Sequence, residues 1–311
     1  MRKGLLCLLL WSAGLSTRAQ QSFFDTTSII ADTLHLVSGQ FAFTEGPAVD
    51  KRGNIFFTDQ PNNQIWEYDL NGRLTLYMDS TGRSNGMYFD RRGNLISCAD
   101  EHDELWSIHP DKSVTVLVRN YEGHRLNGPN DLWVAPNSGI YFTDPYYQRD
   151  YWDRTKPDIA QQAVYYLPPG KRRAAVGSRT GPAARAPLIA DSNLLKPNGI
   201  VGTPDGLRLY VADIQANKTY VYRIGRGGVL YDRRLFVSQG SDGMTLDERG
   251  NLYLCGHGVT VYDSTGQKIA HIPVPAGWTA NLCFGGRDKK TLLITASQFI
   301  FVLPMRVKGV E

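Results

Sequence analysis

The chain has 311 residues, 42% of them hydrophobic and 21% charged, with a formal net charge of +4. Such a length holds one large all-β domain or two ordinary domains, and the apolar content excludes a chain that is disordered over most of its length. The charge is too small to point to nucleic acid as a partner.

The first residues read as separate from the fold. Arg2 and Lys3 form a positive n-region, Leu5 to Leu10 with Trp11 form a short apolar run, and Thr17-Arg18-Ala19 ends on a small residue suited to signal-peptidase cleavage. The pattern predicts a signal peptide over 1–19, with 20–311 as the mature domain. The run falls well short of the roughly 20 apolar residues a membrane-spanning helix needs. Cys7 lies inside it without the small residues that precede a lipoprotein cysteine. The expected location is exported, periplasmic or secreted, with no membrane association after cleavage. Cleavage removes Arg2, Lys3 and Arg18 and no acid, so the net charge falls from +4 to +1. Cys98, Cys255 and Cys283 remain, an odd number without metal-site spacing, and each is expected as a buried free thiol.

One pattern then recurs six times: a short apolar strand, a polar turn with Gly, and a second apolar strand. The second strands are Asn54 to Asp59, Asn94 to Asp100, Ile140 to Asp144, Arg208 to Asp213, Asn251 to Gly256 and Thr291 to Ala296. Most lie about 40–45 residues apart, the period of four-stranded propeller blades. The interval from Asp144 to Asp213 is longer. Residues 168–187, rich in Pro, Gly and Ala and carrying Lys171, Arg172, Arg173, Arg179 and Arg185, are read as the surface excursion that lengthens it. Helical periodicity is nearly absent. The prediction is an all-β fold, a six-bladed β-propeller in a single domain. Phe299 to Leu303 is its last strand, and residues near Asp32 to Val37 complete the same blade, so that no sheet edge is left to aggregate.

Aligning the repeats on the turn glycine reveals a second regularity. Glu45, Asn85, Asn198 and Asp242 each lie eight residues before Gly53, Gly93, Gly206 and Gly250, and Asn130 lies nine before Gly139. The sixth repeat is less regular, and Asn281 is taken as its matching position. In a propeller the first strand of each blade lines the central channel, so equivalent positions converge. Oxygen-bearing side chains meeting at one spot require a cation or other partners. Glu, Asp and Asn are hard oxygen donors of the kind Ca²⁺ takes, and the lack of His or Cys disfavours zinc. Asn-Gly and Asp-Gly are also turn formers, which accounts for some of these positions but not for Glu45.

The chain resembles the gluconolactonase / senescence marker protein family. The resemblance is carried by Thr44-Glu45-Gly46-Pro47, Arg125-Leu126-Asn127-Gly128-Pro129-Asn130-Asp131, Ile140 to Pro145, Lys196-Pro197-Asn198-Gly199-Ile200, Ser241-Asp242-Gly243-Met244 and Thr291 to Ala296. It implies a six-bladed propeller with one catalytic divalent cation, commonly Ca²⁺, with Zn²⁺, Mn²⁺ or Mg²⁺ as alternatives, and hydrolysis of sugar-acid lactones. Carried over, Glu45, Asn130, Asn198 and Asp242 are the metal ligands. Arg125 and Asn127 approach the substrate, as an Arg and an Asn two residues apart do in animal members, although the Gly128-Pro129-Asn130 that follows leaves two correspondences open.

Asp242, the only Asp of the ring, is the first candidate for the base that activates water. His102 and His257 follow second strands and stand near the channel mouth, and His102 is taken as a substrate contact. Asp59, Asp100, Asp144 and Asp213 end strands and are expected in turn or inter-blade hydrogen bonds. Tyr146, Tyr147, Trp152 and Trp278 either wall the pocket or pack loops. No phosphate loop, zinc signature or nucleophile elbow appears. The expected activity is a metal-dependent lactonase on a small-molecule lactone, in a monomer or weak oligomer. The alternatives are a broader esterase or phosphotriesterase of the paraoxonase type, or a non-enzymatic binding propeller.

Overall fold

The computed structural model describes residues 26–170 and 185–311. The predicted signal peptide and the greater part of the basic excursion lie outside the described residues. Six four-stranded antiparallel sheets make up the fold. Their inner strands are Thr44–Val49, Ser84–Phe89, Leu132–Val134, Pro197–Gly202, Met244–Leu246 and Thr279–Gly285. Each touches the next in a closed cycle, and the sixth returns to the first. Blades one to five are consecutive in sequence. Blade six takes its outer strand, His35–Ser38, from the other end of the chain and pairs it with Phe299–Pro304. This is the expected closure, displaced by a few residues.

Local chemistry explains the repeat. The first hairpin of blade one turns at Asp50-Lys51-Arg52-Gly53-Asn54. There the Asp50 Oδ1 accepts the N–H groups of Arg52, Gly53 and Asn54 at 2.8, 2.8 and 2.9 Å, and Gly53 has φ of 100°. Asp90 and Asp247 build the same turn in blades two and five. A short carboxylate that caps its own turn and a glycine in the left-handed region are the sequence signal on which the repeats align. The second strands Ile55–Asp59, Leu95–Ala99 and Ile140–Asp144 are buried along their whole length, because neighbouring blades cover both faces. That is why they read as unbroken apolar runs rather than alternating ones. Phe57, Tyr141, Phe142 and Tyr165 are fully buried between blades, and each such ring contributes roughly 2–3 kcal/mol of transfer free energy.

Two details differ from expectation. The long interval in blade three has a second source besides the basic stretch: residues 145–162, between Ile140–Asp144 and Ala163–Leu167, form a strap that reaches the neighbouring blades. Asp100 is also out of step with the other strand-ending aspartates. Ser84 pairs with Ala99 as Thr44 pairs with Asp59, so Asp100 falls one residue later and opens a short 3-10 turn, Asp100–His102. Cys98, Cys255 and Cys283 are free and buried, as expected.

Candidate metal centre

The ring residues are delivered by the starts of the inner strands. In three blades the aspartate that closes the second strand holds the loop leading into the first. Asp59 accepts the N–H groups of Ala42 and Phe43 at 3.1 and 3.2 Å, ahead of Glu45. Asp144 accepts those of Asn127 and Gly128 at 2.8 and 2.9 Å, ahead of Asn130. Asp213 accepts those of Leu195 and Lys196 at 2.8 and 3.0 Å, ahead of Asn198. In blade two, where Ala99 takes this place, Asn63 of blade one supplies the oxygen to Thr81 and Arg83 at 2.8 and 2.7 Å. Asp59, Asp144 and Asp213 are thus loop-holders within their own blades, whereas Asp100 makes the expected inter-blade bonds, accepting from Gln60 of blade one and Arg149 of the blade-three strap.

The convergence is direct. Asn198 Nδ2 donates to Asp242 Oδ1 at 2.8 Å, joining blades four and five. Asn281 Nδ2 donates to Glu45 Oε2 at 3.2 Å and reaches Asp131 Oδ2 at 3.4 Å, so that blade six meets blade one beside it and blade three across the axis. Glu45, Asn85, Asn130 and Asn198 are buried, and Asp242 is half-buried. Asn281 does not hold the sixth ring position. It pairs with Thr295 in the ladder, and the Gly243 N–H bonds the carbonyl of Ala280 just as the Gly86 N–H bonds that of Asn130. Ala280 is therefore the ring equivalent, because the bulge of blade six falls one residue away from where the turn glycine places it. Asn281 and Asp131 form a second layer, where the other blades have Gly46, Gly86, Gly199 and Gly243. Those glycines leave the room: a Cβ on Gly243 would lie 2.0 Å from Asn281 Cγ, and one on Gly86 would lie 2.5 Å from Asp131 Oδ1.

The electrostatics call for positive charge. Burial, then the nearby Asp242 charge, raises the Glu45 carboxyl well above the carboxylate range, although the Gly46 N–H at 2.6 Å and Asn281 oppose the rise. Burial pushes Asp242 up to about 6 against hydrogen bonds from Trp278 and Asn198, and burial pushes Asp131 up to about 7. The side-chain oxygens of Asn85 and Asn198 are buried with no hydrogen-bond partner. Two crowded carboxylates beside partnerless amide oxygens fit a hard divalent cation. Among the described residues no three His, Cys, Asp or Glu side chains cluster as a metal cage, so the set is amide-rich. Burial and these acids raise the nearby Cys98 and Cys255 thiols.

The strap covers this mouth of the channel. Tyr147 accepts a hydrogen bond from Asn198 Nδ2 at 3.0 Å. Arg149 Nε and the Tyr151 hydroxyl bond the Asp100 carboxylate, the first at 2.8 Å, and Trp152 Nε1 bonds the Asp100 carbonyl at 2.9 Å. Arg154 is buried, paired with Asp103 at 2.6 Å and bonded to the carbonyls of Leu126 and Asn127. From the sixth blade, Trp278 Nε1 donates to Asp242 Oδ2 at 2.5 Å, with His257 edge-on to its ring. Of the aromatic candidates, Tyr147 and Trp278 touch ring residues, whereas Tyr146 and Trp152 pack on Arg154.

The three expected substrate contacts each have partners within the protein. Arg125 is bound to Asp153 and Asp158 of the strap at 2.8 and 3.1 Å. Asn127 is fully buried and donates to the Gln161 carbonyl at 3.0 Å. His102 is exposed and stacks on Trp106. None of the three hydrogen-bonds a ring residue. Arg149, Asp131 and the Trp278 contact escaped the sequence reading, since only the folded strap and ring bring them together. An open crevice of about 520 Å³ lies beside the strap, lined by Gln60, Arg83, Gln148, Arg149 and Tyr151 among others. A cavity of about 390 Å³ enters the channel from the opposite face and stops at Asp131 and Asn281.

Fold and site together define a six-bladed propeller with hard oxygen donors gathered at one mouth of its channel. The chain belongs to the SMP-30/gluconolactonase/LRE-like family, whose sequence model matches residues 43–298. It is 26% identical over 298 residues to a gluconolactonase of Zymomonas mobilis, covering 86% of this chain and 80% of that one. A solved gluconolactonase from Xanthomonas campestris superimposes with a TM-score of 0.79 at 29% identity, covering 90% of this chain and 92% of the other. Regucalcin of Agrobacterium tumefaciens, described as a calcium-binding protein, aligns with a TM-score of 0.71 over 90% of this chain and 95% of that one. At 20% identity it shows the fold alone.

Proposed function

We propose that the chain is a divalent-metal-dependent hydrolase that opens the lactone ring of a sugar acid, with Ca²⁺ as the ion. The observation that carries this reading is the crowding of the Glu45 and Asp242 carboxyls beside the buried, partnerless oxygen of Asn198. The likeness to two gluconolactonases supports the substrate class. Glu45, Asn130, Asn198 and Asp242 would hold the ion, which when bound polarises an ester carbonyl and orients water.

The rest is the work of the chain. Asp242 accepts the proton of the attacking water. Trp278 and Asn198 fix the plane of that carboxylate through one oxygen each. The strap keeps bulk water from the reacting ester. Arg125 and Asn127 serve the substrate indirectly, the first by clamping the strap and the second by lying under Arg154. His102, exposed and stacked on Trp106, remains a candidate for contact with an incoming substrate.

A proton-release assay tests the reading. The purified chain is given aldonolactones, aryl esters and a fluorophosphate, with and without chelator and with Ca²⁺, Mg²⁺, Mn²⁺ or Zn²⁺ restored. Chelator-sensitive turnover of aldonolactones that Ca²⁺ restores is the expected result. Preference for the aryl esters or the fluorophosphate would replace the substrate class, and no turnover with any metal would leave a binding propeller.

A further inference from the structure

The Asn198 amide has a defined orientation. Its side chain is 2% exposed, and its Nδ2 donates both available hydrogens, to Asp242 Oδ1 at 2.8 Å and to Tyr147 Oη at 3.0 Å. Its Oδ1 is buried without a partner. The two ends of an amide are nearly equal in shape and opposite in hydrogen-bonding character. Turned over, Asn198 would set its oxygen against the Asp242 carboxylate and the Tyr147 hydroxyl and present NH₂ where its oxygen now lies. The orientation therefore decides whether this position offers a cation a donor oxygen or a repelling amino group.

Tyr147 comes from the strap and not from the ring. The strap is clasped to blade two at Asp100 by Arg149 and Trp152. Lys196, whose own N–H is held by Asp213, places its ammonium 4.3 Å from the centre of the Tyr147 ring. The hydroxyl is thus brought to Asn198 by contacts made on two other blades.

We propose that Tyr147 is a positioning residue that couples the strap to the metal centre: by accepting the Asn198 Nδ2–H, it holds the amide with its oxygen available to a cation. Strap closure and cation binding then favour each other to the same degree, as linkage requires. The inference rests on the metal-centre reading above.

A double-mutant cycle read by Ca²⁺ calorimetry tests it, using the full chain, Tyr147→Phe, Asn198→Asp and the pair. Loss of one hydrogen bond of this kind predicts Ca²⁺ binding weakened about threefold to tenfold in Tyr147→Phe. In the Asn198→Asp background both side-chain termini are oxygen and no wrong orientation exists, so the same change has an effect of less than about twofold. Hydrogen exchange adds a readout that activity does not share: Ca²⁺ slows exchange over 145–162 in the unaltered chain and does so less in Tyr147→Phe. Equal Ca²⁺ affinity in Tyr147→Phe, or the same loss in both backgrounds, overturns the coupling. No Ca²⁺ binding by the unaltered chain is a different result, and it removes the metal-centre reading itself.

Discussion

Replacing Asp213 by Ala tests how the fold delivers a ring residue. The Asp213 side chain is 2% exposed and accepts three backbone N–H groups, from Leu195 at 2.8 Å, Lys196 at 3.0 Å and Ala216 at 3.1 Å. Alanine leaves all three without an acceptor. A hydrogen bond to a charged group is worth roughly 1.5–3 kcal/mol, and three bonds within one short loop are not additive. Leu195 and Lys196 also lie near solvent, which supplies a partial replacement. The expected loss is about 3–4 kcal/mol, or about 6 °C in melting temperature for a chain of this size. Guanidinium unfolding with an unchanged m-value measures it. Asn198 lies two residues beyond Lys196, so Ca²⁺ affinity falls as well, by about tenfold or more if the misplaced ligand costs about 1.4 kcal/mol or more of binding free energy. Asp213→Asn keeps one acceptor oxygen and loses about half as much stability. An Asp213→Ala chain within about 1 kcal/mol of the parent, with unaltered Ca²⁺ affinity, would refute the argument that this carboxylate holds the loop.

Other outcomes follow from the ring. Asp242→Asn keeps the propeller, as circular dichroism shows, but lowers kcat on an aldonolactone by about 100-fold or more; near-normal turnover would remove Asp242 as the base. Adding chelator lowers the melting temperature, and Ca²⁺ at about 100 times its Kd restores about 2.7 kcal/mol, measured by scanning calorimetry. Ca²⁺ affinity falls as pH drops below about 6, where Asp242 takes up a proton that the ion must displace; titrations in buffers of different ionisation enthalpy report the released proton. Without metal the same raised carboxyl acts with the opposite sign on folding. Its folded value lies above its unfolded one, so its contribution to stability is full below about pH 4 and is lost as pH rises through about 6.

The repeat was legible because its turns are self-contained. Asp50, Gly53 and Asn54 satisfy one another within five residues, and the same chemistry recurs at Asp90 and Asp247. Counting back from those glycines located Glu45, Asn85, Asn198 and Asp242, and a count one longer located Asn130, because a strand has a constant rise per residue. The count failed in blade six, where Ala280 and not Asn281 holds the ring position. A bulge changes the register by one residue and turns the next side chain toward the axis, and no local residue type announces where it falls.

By itself the sequence determined the strand periodicity, the turns, the number of blades and the kind of atom that five of the six blades bring to the ring. All of these depend on residues within one repeat. The tertiary structure alone decided the second layer of Asp131 and Asn281, the attachment of Trp278 to Asp242, and the pairing of Arg125 with Asp153 of the strap. Each of these joins residues from 28 to 150 positions apart. The first two arise because a closed ring forces six inner strands against one axis, where side chains from different blades compete for the same small volume, whereas Arg125 meets the strap of its own blade. The strap belongs to the same class. Its residues carry no periodic signal, and Tyr147 acquires its role only when the loop from blade three is laid across to Asn198 of blade four.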